Sequence, residues 1–516
     1  MPYGRTGFRR RTKITAWRAL ISLFVLSLVM VQPVSAQSNF LENTEKSNYR
    51  EGVGNITYPV EKYVTMKNSF GESILTDDIN GDGNKEIIGV SLLNGTLDVY
   101  DSKLNLMWEF EHEMAHEWEP LMYGKITALA TGDLDGDGVS DILFSMAPSV
   151  CPLETPIFIP EPFSVIYAFK GEGTLLWNTS LKGGITQESL EICDIDGDGR
   201  NEILAGGSDL YVLFGSNGTL RYRYDLSNYS FRGIPEIISH ENEIVFSFWH
   251  YPEARRAYDN MFRVYNSFYN IEKIRLSNNS FQKVWETELE NDDSASSPQY
   301  QRFFATEDFS MMYISRERIS FNSYDSLVCI DLMDGKIKWE NDKQTVQQTG
   351  IGVAVVKNEV VWNLGNKVVI FDSDGRKIYE YPIFENSSSS DIVRPTLSVF
   401  DVDGNGRKEI IFTDSNNIYS FDMKEGTEKW KTKLWDGPYI CPIDAPILHS
   451  DTDNDGFDEI ITTDPEGRIV IIDSGSPPES EEGSAIPFPS CAMILFAVAS
   501  ASIIYGLMER KRRGGR

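Results

Sequence analysis

The 516-residue sequence has little cysteine and little histidine, with five of each. No two cysteines are close in sequence, so it contains neither a CxxC motif nor a haem-attachment signature. Four cysteines lie between the N-terminal and C-terminal apolar segments, and spacing cannot rank their three possible disulfide pairings. Two of them lie in apolar strand patterns, which predicts buried free thiols. The four are Cys151, Cys193, Cys329 and Cys441, the middle two being the predicted thiols.

Basic residues are also scarce, because 48 lysines and arginines face 77 aspartates and glutamates, for a formal net charge of −29. The two ends of the chain carry 11 of the basic residues and only one acidic residue, so the part between them is still more acidic. Binding to nucleic acid needs a basic face for the phosphates. The composition therefore predicts no nucleic-acid partner.

The N-terminus has the layout of a secretory signal peptide. Several basic residues precede an apolar run from Ala19 to Val31, and Val34-Ser35-Ala36 follows as a cleavage site. About 13 apolar residues are too few to cross a bilayer. We therefore predict a signal peptide over residues 1–36 and a linker over residues 37–57.

The C-terminus predicts attachment to a membrane. Residues 476–490 form a spacer rich in Ser, Glu and Pro, residues 491–508 are uncharged, and residues 509–516 are basic. Length and flanking charge predict one transmembrane helix at 491–508 and a cytoplasmic tail. The layout also resembles the C-terminal sorting signals of archaeal surface proteins, in which a lipid anchor replaces the tail. Either anchor predicts a cell-surface protein with an extracellular N-terminal domain.

Between these ends, a nine-residue acidic loop occurs five times, each time just before a short apolar strand. Positions 1, 3 and 5 are always Asp or Asn, position 6 is always Gly and position 9 is always acidic. Clustered carboxylates repel one another unless a cation lies among them. Alternating oxygen ligands suit Ca²⁺, with position 7 offering a backbone carbonyl. The copies are DINGDGNKE from Asp78, DLDGDGVSD from Asp133, DIDGDGRNE from Asp194, DVDGNGRKE from Asp401 and DTDNDGFDE from Asp451.

Several short strands per unit, repeated every 50 to 60 residues, predict an all-β fold of β-propeller type over residues 58–475. Three further units without the acidic loop lie between Asp194 and Asp401, which gives eight blades. Seven blades remain an alternative if the unit at Ile244 is an insertion. The last unit stops at Asp473, and the strand Tyr58–Met66 is available to complete it.

These loops resemble FG-GAP repeats, the calcium-loop blades of integrin α-type propellers. The strand-turn-Trp segments that end at Trp177, Trp339 and Trp430 resemble the blade repeat of pyrroloquinoline-quinone-like propellers. The resemblance implies Ca²⁺ bound through positions 1, 3, 5, 7 and 9 of each loop. The implied ligands are Asp78, Asn80, Asp82, Asn84 and Glu86; Asp133, Asp135, Asp137, Val139 and Asp141; Asp194, Asp196, Asp198, Arg200 and Glu202; Asp401, Asp403, Asn405, Arg407 and Glu409; and Asp451, Asp453, Asp455, Phe457 and Glu459.

Two enzymatic hypotheses compete with a binding function. His112-Glu113-Met114-Ala115-His116 is a formal HExxH zinc motif, but it falls in a link between blades and no third ligand is apparent. A quinone dehydrogenase would explain the Trp-ended repeats, although inter-blade packing explains them more simply. We expect no enzymatic activity.

The prediction is thus a membrane-anchored, calcium-stabilised extracellular propeller that acts as a ligand-binding or adhesion module for a protein or glycan. A structural protein of the cell envelope is the alternative. Three stretches that interrupt the blade rhythm are candidates for the binding face, because recognition often uses loops on a rigid scaffold. They are 147–163, 250–269 and 291–303. Sequons permit N-glycosylation at Asn55, Asn94, Asn178, Asn217, Asn228, Asn278 and Asn386.

Overall fold

The structure is a computed structural model. It describes residues 61–64, 70–91, 95–111, 122–150, 163–228, 233–250, 268–289, 300–317, 324–345, 352–364, 367–382, 397–413, 417–434, 446–454, 456–464 and 467–473. These residues form 32 strands and one short 3₁₀ helix, Gln187–Ser189. The strands make eight separate four-stranded antiparallel sheets.

The strands follow one another in blade order after an initial strand, β1 (Glu61–Val64). Blade 1 contains β2 (Phe70–Asp77), β3 (Glu86–Ser91), β4 (Thr96–Tyr100) and β5 (Leu106–Glu111). Blade 2 contains β6 (Met122–Gly132), β7 (Asp141–Val150), β8 (Phe163–Phe169) and β9 (Leu175–Lys182). Blade 3 contains β10 (Leu190–Cys193), β11 (Glu202–Gly206), β12 (Leu210–Phe214) and β13 (Leu220–Tyr224). Blade 4 contains β14 (Gly233–His240), β15 (Glu243–His250), β16 (Phe268–Ser277) and β17 (Ser280–Leu289).

The second half of the chain repeats the arrangement. Blade 5 contains β18 (Tyr300–Ala305), β19 (Met311–Glu317), β20 (Tyr324–Asp331) and β21 (Ile337–Thr345). Blade 6 contains β22 (Gly352–Val356), β23 (Glu359–Asn363), β24 (Lys367–Phe371) and β25 (Lys377–Pro382). Blade 7 contains β26 (Leu397–Phe400), β27 (Glu409–Thr413), β28 (Asn417–Asp422) and β29 (Glu428–Lys433). Blade 8 contains β30 (Leu448–Ser450), β31 (Glu459–Thr463) and β32 (Ile469–Asp473), with β1 as its fourth strand.

The blades form a closed ring. The first strands of neighbouring blades contact one another in an unbroken cycle that returns from β30 to β2, so these strands line the centre. β1 pairs antiparallel with β32, with Glu61 opposite Asp473 and Val64 opposite Val470. An N-terminal strand thus completes the C-terminal blade, as the sequence predicted. The chain is an eight-bladed β-propeller.

The core is divided among the blade interfaces. Eight clusters of buried apolar side chains are present, one at each interface between neighbouring blades. The cluster between blades 8 and 1 joins Ile461 and Ile471 to Ile74 and Ile87, which closes the ring by packing as well as by hydrogen bonding. A sheet buried on both faces can be stabilised only by its neighbours, so stability is shared around the ring.

An aromatic side chain on the outermost strand clamps several blades to the next one. The indole N–H of Trp339 donates to the carbonyl of Ser373 at 3.0 Å, and its ring covers Gly375, where an added Cβ would lie 2.6 Å from the ring. Three other indole N–H groups donate to backbone carbonyls in the same way: Trp108 to Gly171, Trp177 to Gly215 and Trp285 to Leu332. The tryptophans therefore serve inter-blade packing, as the sequence predicted.

Several sequence predictions are confirmed by these elements. The unit at Ile244 is blade 4 rather than an insertion, so the seven-bladed alternative is wrong. Cys193 and Cys329 are free thiols, Cys329 being buried and Cys193 half-buried.

The predicted signal peptide and the span at 491–508 lie outside the described residues. Within those residues, no helix has the length and apolar character needed to cross a membrane.

The indole clamp predicts that two substitutions of Trp339 lower the free energy of unfolding by different amounts. Trp339→Phe removes the donor to Ser373 but keeps an aromatic ring, and should cost about 1 kcal/mol of unfolding free energy. Trp339→Ala also removes the packing at the interface of blades 5 and 6, and should cost about 3 kcal/mol or more. Urea unfolding followed by tryptophan fluorescence checks both. Tyr379→Phe, at an exposed outer-strand tyrosine, is the matched control, and an equal loss there would contradict the clamp.

Candidate metal-binding loops

The five acidic loops occupy one structural position. Each begins directly after the first strand of a blade, and its position 9 is the first residue of the second strand. The loops belong to blades 1, 2, 3, 7 and 8, which are consecutive because blade 8 adjoins blade 1. Two groups of loops that lie more than 200 residues apart in the sequence are therefore neighbours in the ring.

The loop backbone wraps around the aspartate at position 1. In all five loops one oxygen of this carboxylate accepts the N–H of the glycine at position 6, at 2.6 to 3.0 Å. The residues at positions 4 and 6 have left-handed backbone conformations, for example φ +74° at Gly81 and +91° at Gly83. Position 4 therefore also favours glycine. In the fifth loop Asn454 takes this conformation with φ +61°.

Positions 2 and 9 connect the loop to the core. The position 2 side chains Ile79, Leu134, Ile195 and Val402 belong to the buried clusters. In four loops the N–H of position 2 donates to the acid at position 9, as in Ile79 to Glu86 at 3.1 Å. The carboxylate at position 9 is almost fully buried in every loop. Burial and this hydrogen bond fix its orientation.

The carboxylates of positions 1, 3 and 9 converge. In four loops one oxygen from each of them lies within 4.8 Å of the other two. The sets are Asp133, Asp135 and Asp141; Asp194, Asp196 and Glu202; Asp401, Asp403 and Glu409; and Asp451, Asp453 and Glu459. In the first loop, Asn80 replaces the acid of position 3, and its amide donates to Glu86 Oε1 at 2.7 Å. Three hard oxygens at this separation are chemically suited to a divalent cation.

The third loop tests most clearly whether the residues present can hold a metal ion. Asp196 Oδ1 and Glu202 Oε2 are buried oxygens without a hydrogen-bond partner. A buried carboxylate oxygen that lacks a partner is costly unless a cation compensates for the lost solvation. The donor set therefore fits a metal ion bound through Asp194, Asp196 and Glu202.

Other predicted ligands take different roles in the loop. At position 5, the side chains of Asp82, Asp137, Asp198 and Asn405 accept the backbone N–H of position 7. Asp455 lies outside the described residues. Metal ligation by position 5, and by the position 7 carbonyls of Asn84, Val139, Arg200, Arg407 and Phe457, stays a prediction.

Basic side chains reach three of the acidic loops. Lys170 Nζ lies 2.6 Å from Asp135 and 2.5 Å from Asp137. Arg221 pairs with Asp196 and Glu202. Lys429 Nζ lies 3.2 Å from Asp403 and 2.5 Å from Glu409. The motif alone gave no sign of these partners, because they lie on other strands and turns of the same blade.

Neighbouring loops touch one another. Lys85 in the first loop donates its backbone N–H to Thr452 of the fifth, at 3.2 Å, and its Nζ to Ser450 at 3.0 Å. Asn201 in the third loop donates to the carbonyl of Asp133 in the second, at 2.8 Å. Gly81 of the first loop faces Val139 of the second, and Gly404 of the fourth faces Phe457 of the fifth, so the five loops form a continuous acidic arc over blades 7, 8, 1, 2 and 3.

The remaining predicted sites fall largely outside the described residues. The HExxH motif with His112, Glu113 and His116 lies there, and so do the central parts of 147–163, 250–269 and 291–303. One relevant residue was missed: Glu243 begins the second strand of blade 4, the place of position 9, and pairs with Lys273 and Arg275. An acid at a strand start without the preceding loop carried no recognisable signal.

The chain is similar to one known family and to several solved structures. Residues 274–474 match the family PQQ_2, described as outer membrane protein assembly factor BamB. No curated protein matches the sequence. Similar solved structures include BamB from Moraxella catarrhalis, with 12% identity, 78% of this chain and 99% of that chain covered, and TM-score 0.44. The Dos1 propeller is 9% identical, with 80% of this chain and 95% of that chain covered and a TM-score of 0.47. Bacillus licheniformis rhamnogalacturonan lyase PL11 is 13% identical, with 81% of this chain and 89% of that chain covered and a TM-score of 0.34. The resemblance to FG-GAP repeats stays a prediction.

Burial changes the acidity of position 9. Burial, and then the charges of Asp82 and Asp78, raise the pKa of Glu86 to about 7. Burial likewise raises the pKa of Glu202 to about 7, although Arg221 opposes it, and that of Asp141 to about 6. Without a cation, these acids hold their protons more tightly in the folded chain than in the unfolded chain.

The metal-free protein should therefore lose stability as the pH rises. A raised carboxyl pKa stabilises the fold at low pH, and this contribution disappears between the ordinary value of 4.5 and about 7 for Glu86. Thermal midpoints in chelator at about pH 5 and about pH 8 measure the effect. Glu86→Gln should make the difference smaller. A midpoint that rises over this range would contradict the electrostatics described.

Proposed function

We propose that this chain is a surface-displayed binding module whose propeller is stabilised by Ca²⁺. The proposal rests chiefly on one observation: in four loops that occupy the same position of their blades, three carboxylates converge, and the one at position 9 is buried. Oxygen-only donor sets of this kind suit Ca²⁺. Its role would be structural, because each loop joins two strands and four of the five place an apolar side chain at position 2 in an inter-blade cluster.

The arrangement of connections favours recognition on the face opposite the acidic arc. The acidic loops follow first strands, whereas the stretches 147–163 and 250–269 connect second to third strands and 291–303 connects blade 4 to blade 5. In an antiparallel blade these two kinds of connection leave at opposite ends. One face would then carry the metal-binding hairpins and the other the longest connections, where ligand recognition is commonly found.

The name of the matching family supplies a further argument. BamB is described as an outer membrane protein assembly factor. A propeller that serves an assembly role is consistent with a protein-binding function for this chain. With the signal peptide and C-terminal anchor predicted from the sequence, we propose an extracellular protein or a glycan as the ligand.

Calcium should raise the thermal midpoint of the chelator-treated full-length protein. With dissociation constants of about 0.1–1 mM, each occupied site contributes about 1.4–2.7 kcal/mol at roughly 10 mM Ca²⁺. Asp82→Ala, which removes position 5 of the first loop, should reduce the increment. Calorimetry with and without Ca²⁺ measures it.

Asp308→Ala is the matched control for this experiment. Asp308 lies in the corresponding hairpin of blade 5, which has no acidic loop, and it accepts hydrogen bonds from Thr306 and Ser310. This variant should retain the whole calcium increment even if its basal midpoint falls. If the midpoint of the wild-type protein does not depend on Ca²⁺, the metal-binding role is wrong.

The binding role can be separated from folding in blade 4. His250 and Phe268 are opposite each other in the β15–β16 pairing, so a short turn can replace residues 251–267 without changing the register. The shortened protein should keep its thermal midpoint in Ca²⁺ and lose binding on a glycan array or to an identified surface protein. A glycan or protein that binds both forms equally would place recognition elsewhere.

The competing classes predict other outcomes. Ordered self-assembly of the purified protein, without binding to any glycan or other protein, would indicate a structural component of the envelope. Hydrolytic turnover lost on His112→Ala or Glu113→Gln would indicate an enzyme.

A further inference from the structure

Two of the three basic side chains in the acidic arc, Arg221 and Lys429, are placed by a recurring irregularity of the outermost strand, whereas Lys170 lies in the turn before that strand. In blades 1 to 7 the pairing between the third and fourth strands shifts by one residue, and in blades 1, 2, 4 and 5 the shift comes just before the clamping tryptophan. In blade 3, Leu220 is opposite Leu213 and Tyr222 is opposite Val212, so Arg221 is the extra residue of a β-bulge. In blade 7, Lys429 is the extra residue between Glu428 and Trp430. A bulge redirects a side chain, and these two are directed to the acidic loop of their own blade.

Both bulge residues contact the carboxylates that converge in the loop. Arg221 pairs with Asp196 and Glu202, and Lys429 pairs with Asp403 and Glu409. These are positions 3 and 9 of the loops, which belong to the candidate metal sets. Each cation is mostly sheltered from solvent, with side-chain exposures of 15% for Arg221 and 23% for Lys429. The guanidinium of Arg221 also lies 4.8 Å from the centre of the Phe214 ring, which restrains it further.

The same structural position is not basic in blade 1. There the extra residue is Met107, between Leu106 and Trp108. Among the described residues, no lysine or arginine forms an ion pair with Asp78, Asp82 or Glu86, and Lys85 is directed to Ser450 of blade 8. Instead, the amide of Asn80 bridges the carboxylates of Asp82 and Glu86. The bulge residue is therefore Arg221 in blade 3, Lys429 in blade 7 and Met107 in blade 1, where the loop also has Asn80 in place of the acid of position 3.

We propose that the bulge residues Arg221 and Lys429 are internal cations that compete with the metal in the loops of blades 3 and 7. This inference rests on the proposed calcium-binding function and assigns different affinities to the loops. Loops 3 and 4, neutralised by Arg221 and Lys429, keep their conformation without metal and bind Ca²⁺ weakly. Loop 1, beside Met107, depends on Ca²⁺ and binds it more tightly. The arc then has built-in sites of graded affinity.

The physical reason is the repulsion between two cations at one set of carboxylates. A Ca²⁺ ion that takes oxygens from positions 3 and 9 must displace the guanidinium or ammonium from them, or bind beside it. Displacing Arg221 also breaks its contact with Phe214. The unpartnered oxygens Asp196 Oδ1 and Glu202 Oε2 show that Arg221 does not saturate this set, so the site retains capacity for a metal.

The test exchanges the bulge residues and titrates the full-length protein with CaCl₂ after removal of metal by chelator. Arg221→Gln and Lys429→Gln should each increase Ca²⁺ affinity at one site by about ten- to a thousandfold, by analogy with the one to three pKa units that a neighbouring charge produces. In chelator, each variant should have a lower thermal midpoint than the wild type. Calorimetric titration and thermal unfolding provide independent readings.

The reciprocal exchange strengthens the test. Met107→Arg places a cation beside the first loop, so it should weaken or abolish one Ca²⁺ site and reduce the dependence of the midpoint on Ca²⁺. Lys338→Gln is the matched control, because Lys338 is the bulge residue of blade 5, where it contacts Met311 and no acidic loop is present. This variant should titrate as the wild type does.

The outcomes distinguish the two hypotheses. If the wild type binds Ca²⁺ and Asp82→Ala removes a site, but the affinities are the same in Arg221→Gln, Lys429→Gln and Met107→Arg, the competition is wrong and the calcium-binding function stands. If neither the wild type nor any variant binds Ca²⁺, the proposed calcium-binding function fails and the competition fails with it. If one variant does not fold, the other two still decide, because they lie in different blades.

Discussion

The architecture depends on closure of the ring by β1. Each blade buries both of its faces against its two neighbours, and blade 8 obtains its fourth strand only from β1. The closing strand comes from the opposite end of the chain, which ties residues near 61 to residues near 473. Contacts of such high sequence separation cost loop-closure entropy and form late. The eight apolar clusters and the indole clamps repay that cost only when the whole ring is present.

Much of the fold was predictable because its signals are local and repeated. Apolar strands of regular spacing, the glycine turns and the Trp-ended segments are visible in each unit, and even the closing strand followed from the missing fourth strand of the last unit. The positions of the carboxylates in each loop were also predictable, since the loop is a continuous nine-residue segment. Repetition made these inferences stronger than any single motif would allow.

The partners of the loops were not predictable, for two physical reasons. First, Arg221 and Lys429 reach the acids because a bulge shifts the register of the outermost strand, and register is a property of paired strands rather than of one segment. Second, loops 1 and 5 are neighbours only because the ring closes. A linear sequence shows the five loops as two separated groups, whereas the folded chain joins them in one arc. Glu243 shows a third difficulty, because an acid at a strand start is informative only when its blade position is known.

The antiparallel closure also determines how the domain would respond to mechanical force. Because Glu61 is opposite Asp473, the polypeptide enters β1 and leaves β32 at the same corner of blade 8. Tension applied to both emerging segments in opposite directions would open the four residue pairs one after another, as a zipper opens. Tension on the C-terminal segment alone would not load this pairing in the same way. A propeller of this design that is tethered through its C-terminal segment would withstand tension on that segment alone better than tension between its N-terminal and C-terminal segments.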